Sequence, residues 1–227
     1  MDQLASHKSR TERTCDMLRD AIIRATYRPG EKLRIDQLGK VLDASSGAVR
    51  EALSRLTAEG LVLAQPQRGF IVAPISRKEL VDLTEVRIDI ECRCLRDSIR
   101  HGDLDWEGRV LSLQHRLRAL EEAISGEGSD RAARWHALHL QFHDELAAHC
   151  GNAWWKRLRQ QLYMQSERYR RLSGPFDETR RDIAGEHDAI ANAALARDAD
   201  SAVEHMRLHL QRTTEILLDS TLPFSDA

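Results

Sequence analysis

No apolar run in the 227-residue chain approaches the length needed to cross a membrane. The opening MDQLASHKSRTER lacks the apolar core of a secretory signal. A cytoplasmic protein with no membrane partner is therefore expected. Cysteine is scarce: Cys15, Cys92, Cys94 and Cys150 form no paired metal-ligand spacing. Cys92 and Cys94 are one residue apart on an expected helix, so they point to different faces. Reduced thiols are the reading that suits the cytoplasm. Aromatic residues make up only 5% of the chain. No nucleophile or general base stands in an arrangement that would complete an active site, which weighs against an enzyme.

Charge is abundant and unevenly placed. The chain is 31% charged and 41% hydrophobic, the balance of a helix-rich protein with room for two modest domains. Residues 1–74 hold 12 Lys and Arg against 9 Asp and Glu, a net of +3. The remainder holds 22 against 27, a net of −5. A basic N-terminal part suits a polyanion, and an acidic remainder suits another task. Nine of the ten histidines also lie beyond residue 74.

The stretch RPGEKLRIDQLGKVLDASSGAVREALSRLTAEGLV, residues 28–62, organises the N-terminal part. Leu33, Ile35, Leu38, Val41 and Leu42 recur at helical spacing. Residues 43–47, Asp-Ala-Ser-Ser-Gly, then break the pattern with turn and N-cap formers. A second helix places Val49, Leu53 and Leu56 on one face and Arg50, Ser54 and Arg55 on another, with Gly60 as its stop. Two short helices across a tight turn make a helix-turn-helix, whose second helix can enter a DNA major groove. Two strand-length apolar runs, 61–64 and 69–72, follow around Gln65-Pro66-Gln67-Arg68 and predict a hairpin wing with a basic tip. The alternative is a helical hairpin that packs without touching nucleic acid. Residues 11–25 add a helix whose stripe of Cys15, Leu18, Ala21, Ile22 and Ala25 should complete this core.

At this point the sequence resembles the GntR family of bacterial transcription regulators. The pattern is Arg28-Pro29-Gly30, Leu33, Leu38, Val49-Arg50-Glu51-Ala52-Leu53, Leu56, Glu59-Gly60-Leu61-Val62 and Arg68-Gly69. The resemblance implies double-stranded operator DNA as partner, met by Ser45, Ser46, Arg50, Arg68 and Gly69. Many relatives carry Arg and Thr after the first serine of the turn, where this chain has Ser46 and Gly47, so operator sequences do not transfer.

After Pro74 the pattern changes to helices with recognisable punctuation. Ser76-Arg77-Lys78-Glu79 reads as a capping box opening a helix over 76–101. Further helices are expected over 105–125, 130–150, 152–172, from Asp177 to about 197, and 198–220. The fold class is thus mainly α: a winged helix-turn-helix over 1–74 and an antiparallel bundle of about six helices over 75–227. The bundle resembles the FCD domain found in the FadR branch of GntR regulators. That likeness rests on Glu85-Val86-Arg87 with Glu91, Phe142-His143 with Gly151-Asn152, and Glu186-His187 with Arg197-Asp198 and His209.

His139 and His143 are four apart and present both imidazoles to one point. His187 shares the apolar face of its helix with Ile183, Ile190 and Ala194, and His209 lies beside Met206. Three helices can converge four imidazoles, as bundles do when they build metal sites. The other reading is hydrogen-bonded core histidines, and His205-His209 is a rival pair at the same spacing. The resemblance implies the same four positions, with His139 where many relatives have a carboxylate. Four neutral nitrogens favour a divalent transition metal, namely zinc, nickel, cobalt or copper with zinc or nickel foremost, over magnesium or calcium. Arg87, among Leu83, Val86 and Ile90, reads either as a clamp for an effector carboxylate or as a structural partner of Glu91. The Arg168-Arg170-Arg171 run reads as a solvated face. The functional expectation is a homodimeric repressor that binds DNA at one end and a small organic acid at the other. A direct transition-metal sensor and a metal-dependent enzyme are the alternatives.

Overall fold

A computed structural model describes residues 9–121, 129–172, 181–222 and 224–225. The chain divides into two compact units. The first comprises Met1–Leu80, Tyr163–Gly174 and Ser220–Ala227; the second comprises Val81–Leu162 and Pro175–Asp219.

In the first unit, α1 (Arg10–Ile23) opens with a true capping box: Ser9 Oγ accepts from Glu12 N–H, and the Glu12 carboxylate accepts from Ser9 N–H. A short strand β1 (Lys32–Leu33) precedes α2 (Ile35–Val41) and α3 (Ser46–Ala58). Strands β2 (Val62–Gln65) and β3 (Gly69–Val72) form the wing. The sheet is antiparallel in the order β1-β3-β2, with Leu33 opposite Phe70 and Gln65 opposite Gly69. Cys15, Leu18, Ile22, Leu38, Val49, Leu53, Leu56 and Val72 close the core.

Four expectations for this unit need correction. Leu33 belongs to β1, not to the first helix of the motif: its extended backbone pairs with Phe70 while its side chain reaches the same core. Val41 is 72% exposed. At about 100° per residue, Ile35, Leu38 and Leu42 share one sector, and Val41 falls roughly 90° from its centre. The turn after α2 then depends on a close approach, since a Cβ on Gly39 would stand 2.9 Å from the Ala44 carbonyl. Residues 163–172, the end of a helix that begins at Ala153, belong to this unit too, and there Arg168 is 1% exposed rather than solvated. Its guanidinium donates to the Ala73 and Pro74 carbonyls, which need a buried donor once the wing has ended. Ser76 Oγ caps Glu79 N–H, but the Glu79 carboxylate accepts from the Tyr169 hydroxyl, so the second half of that expected box is replaced.

The second unit is helical throughout its described residues. It holds most of α4 (Arg77–His101), α5 (Leu104–Glu121), α6 (Ser129–Leu146), residues 153–162 of α7 (Ala153–Leu172), α8 (Ile183–Leu195) and α9 (Ala199–Asp219). Its core runs from Leu95 and Ile99 through Trp106, Val110, Leu117, Phe142 and Leu146 to Ile190, Ala194, Met206 and Leu210. The helices begin where side chains can cap them. Asn152 Oδ1 accepts from Trp154 and Trp155 N–H, Asp182 Oδ1 from Gly185 N–H, and Asp198 Oδ1 from Ser201 N–H. The helix expected from Asp177 starts at Ile183; Asp177 itself lies outside the described residues, as do Gly126-Glu127-Gly128 and Ser173-Gly174-Pro175, whose residue types would stop the helices expected over 105–125 and 152–172.

Candidate functional site

Helix α6 carries His139 and His143 one turn apart, α8 carries His187, and α9 carries His209. All four are buried, with exposures of 5%, 1%, 2% and 5%. One nitrogen from each lies within 4.8 Å of the others, which is the reach of a single coordinated ion. Ring centroids are 4.5 Å apart for His139 and His143 and 4.8 Å for His187 and His209. The rival His205 is exposed and lies outside the cluster, because it falls beyond the edge of the face of α9 that buries Ala202, Met206, His209 and Leu210.

The hydrogen bonds define which nitrogens face the centre. His187 Nδ1 lies 2.9 Å from Glu121 Oε1, and His209 Nδ1 lies 2.8 Å from Glu186 Oε2. A carboxylate only accepts, so each imidazole places its proton on Nδ1 and leaves the Nε2 lone pair available. The Nε2 of His187 is buried without a hydrogen-bond partner, and so are both ring nitrogens of His143. Buried polar atoms without partners are uncommon, and a shared metal ion would satisfy the Nε2 of His187 and one nitrogen of His143. Burial and the neighbouring His209 and His187 push the His143 imidazole well below its ordinary pKa. Burial also lowers His209, to about 3, against the opposing pull of Glu186. Both rings are therefore neutral, the form a metal ion needs.

Around this cluster stand charges that sequence reasoning did not assign. Arg181 binds Glu186 at 2.6 Å and also donates to the His209 carbonyl. Arg159, 4% exposed, reaches Glu91 and Asp144, each at 2.6 Å, and the His143 carbonyl at 2.7 Å. Arg87 is 8% exposed with Nε 3.5 Å from Glu91 Oε1, so the expected structural pair is present. Arg87 is also among the charges that depress His143, which places it within electrostatic reach of the cluster.

In the first unit, Ser45 caps α3 by accepting from Ala48 N–H, while Ser46 and Arg50 are exposed on that helix. The Arg68 N–H donates to the Gln65 carbonyl across the wing tip. Gln67 and Gly69 take positive φ values of 62° and 93°, which turn the chain there. Arg68 and Gly69 are both exposed.

Residues 10–72 match the family model for bacterial regulatory proteins of the gntR family, and 82–212 match the FCD domain. The chain is 38% identical over 214 residues to BphR of Paraburkholderia xenovorans, described as an uncharacterised HTH-type transcriptional regulator. That alignment covers 94% of this chain and 87% of the relative. The chain belongs to the GntR family. As a GntR-family transcriptional regulator with an FCD domain it is a DNA-binding protein and not an enzyme. A second relative of the family, the HTH-type transcriptional repressor GlaR of Escherichia coli, is 35% identical over 85% of this chain and 89% of its own. Among solved structures, Escherichia coli McbR/YncC superposes with a TM-score of 0.78 over 93% of this chain and 98% of that one. At 17% identity, that likeness speaks for the fold. Among the described residues, no helix is long and apolar enough to span a membrane.

Proposed function

We propose that this GntR-family regulator is a metabolite-responsive repressor, whose hold on operator DNA is set by a small carboxylic acid bound beside a metal in the helical domain. The observation that carries the reading is the four buried histidines with nitrogens converging within 4.8 Å, among them His143 and the Nε2 of His187, which are buried without hydrogen-bond partners. His139, His143, His187 and His209 would hold zinc or nickel. When bound, such an ion supplies Lewis-acidic coordination positions that carboxylate oxygens can occupy. Arg87 would clamp the acid through its guanidinium while Glu91 orients it.

DNA would be read by Arg50 on α3, with Ser45 and Ser46 at that helix's N-terminus and Arg68 and Gly69 at the wing tip. Each such helix covers one half-site, so a homodimer on a two-fold operator is the matching assembly. The domain boundary is placed at Pro74, where the wing ends. Repression, not activation, is supported by the relative GlaR, which is described as a repressor. The second reading, a direct metal sensor, rests on the same histidines.

Operator affinity measured on metal-free, metal-loaded and metal-plus-acid protein decides between them. Release only when acid is added supports the proposal. Release by metal alone supports the sensor, and indifference to both removes the helical domain from control.

A further inference from the structure

Four imidazoles bring no charge to a divalent ion, and the cluster is buried, so a counter-charge is needed nearby. Two buried carboxylates touch the histidines, Glu121 and Glu186, and they differ. Glu186 is already matched by Arg181 at 2.6 Å and by Arg212 at 3.2 Å. Glu121 has a side chain only 6% exposed, and among the described residues its one ion-pair partner is His187. Its Oε2 is buried without a hydrogen-bond partner. Among the described residues, Glu121 is thus a buried carboxylate that a histidine, and no arginine or lysine ion pair, faces.

The same carboxylate is tied to a second histidine through an indole. Trp135 Nε1 donates to Glu121 Oε1 at 3.0 Å, and the Trp135 ring stacks on His139 with centroids 4.7 Å apart at 27°. One oxygen at the end of α5 therefore aligns imidazoles from α6 and α8.

The geometry points to Glu121 as the positioning residue and internal counter-charge of the metal centre, acting on His187 directly and on His139 through Trp135. The inference rests on the metal reading above and assigns that site a part which neither spacing nor family match supplies. A carboxylate on Nδ1–H fixes the tautomer, makes Nε2 a stronger donor and offsets part of the ion's charge. With Glu186 cancelled by its arginines, one positive charge of the loaded site stays open, which suits an anionic oxygen donor as its further ligand.

The test uses the full-length chain and the variants Glu121→Gln and Trp135→Phe. Nickel affinity is measured by competition with a chelator, the cobalt(II) form by visible absorption, and the metal-free proteins by thermal melting. Glu121→Gln keeps the shape and an accepting oxygen but removes the charge. It should weaken nickel binding about 10- to 100-fold, the usual cost of losing such an outer partner. It should also shift the cobalt bands while the metal-free protein melts no earlier than wild type. Trp135→Phe should shift the cobalt bands through His139 with a smaller loss of affinity. Glu121→Gln affinity within twofold of wild type overturns the assignment. So does a metal-free Glu121→Gln protein that melts earlier, because that marks a packing role. Wild-type protein that takes up no nickel overturns the metal reading itself, which the variant results alone cannot do.

Discussion

Replacing His143 by leucine should move two measurements in opposite directions. Both of its ring nitrogens are buried without hydrogen-bond partners, and the residue is 1% exposed. In metal-free protein each unpaired buried polar group costs roughly 1–3 kcal/mol, and leucine of similar volume removes both groups. Some of that gain is lost to imperfect packing against Phe142 and His187, leaving a net stabilisation of about 1–3 kcal/mol. For a chain of this size that raises the melting temperature by roughly 2–4 °C per kcal/mol. In the presence of zinc or nickel the order should reverse. Wild type gains about 4 kcal/mol when the free ion stands at a thousand times its dissociation constant. The variant, short of one ligand, should gain little. The assay is thermal denaturation of untagged protein after chelator treatment, repeated with added metal, together with elemental analysis. His143→Leu protein that melts below wild type without metal, or still carries one equivalent of it, would refute the reasoning and return His143 to the ordinary core.

Three further outcomes follow from other parts of the molecule. Arg50→Ala should weaken binding to an operator selected from random DNA by roughly 1–3 kcal/mol and relax one base position, whereas Arg68→Ala should weaken all sequences more evenly; electrophoretic titration of both folded variants checks this. Arg87→Met should keep operator affinity and lose release by the inducing acid, read by calorimetry and DNA binding, while loss of folding would leave Arg87 only its pairing with Glu91. Burial pushes the Glu167 carboxyl up, but Arg170 and Arg171 outweigh it and hold the pKa below its ordinary value. The stabilisation from Glu167 is therefore complete above the unfolded value of about 4.3 and disappears as pH falls through the lower folded one. Glu167→Gln should accordingly be the less stable protein at pH 7, with the gap closing in acid unfolding.

The helices were legible because their boundaries are chemical. Asn152 and Asp198 cap where short polar side chains can satisfy orphan N–H groups, and Gly60 follows α3 at φ 75°. Strand β1 was not legible, since a two-residue pairing carries no period of its own; the one local signal is that Leu33, five residues before Leu38 and nine before Leu42, falls off their helical face. Gly102 meets two demands at once. It follows α4 as a stop, yet a Cβ there would stand 2.3 Å from the Trp106 ring, a constraint set by the packing of α5. Arg168 was misread for a related cause. Its neighbours Arg170 and Arg171 are charged and less buried, and helical period alone does not reveal the carbonyls at Ala73 and Pro74 that draw it inward.

The cluster of histidines could be anticipated because i, i+4 spacing on α6 and inward positions on α8 and α9 are written in the local sequence. What holds those histidines was not, and the difference is one of sequence distance. Glu186 adjoins His187 yet bonds His209, 23 positions away, while Glu121 bonds His187 across 66 positions. Neither pairing follows from any period. Both follow from a requirement that can be stated before the structure is seen: a buried imidazole offering one nitrogen inward must give the other a partner outward. A search for acidic residues on the flanking helices would have produced candidates, but many carboxylates satisfy that description. Three-dimensional placement selects among them by burial. Glu107 and Glu204 spend their charge on Arg197 and Arg207 at more exposed positions, and Glu186 on Arg181. Glu121 is left with a histidine, an indole and an unpaired oxygen. Such a carboxylate, with one oxygen that finds no partner among the described residues, is costly in a folded core unless a cation is shared with the imidazoles it faces, and that cost ties it to the metal reading.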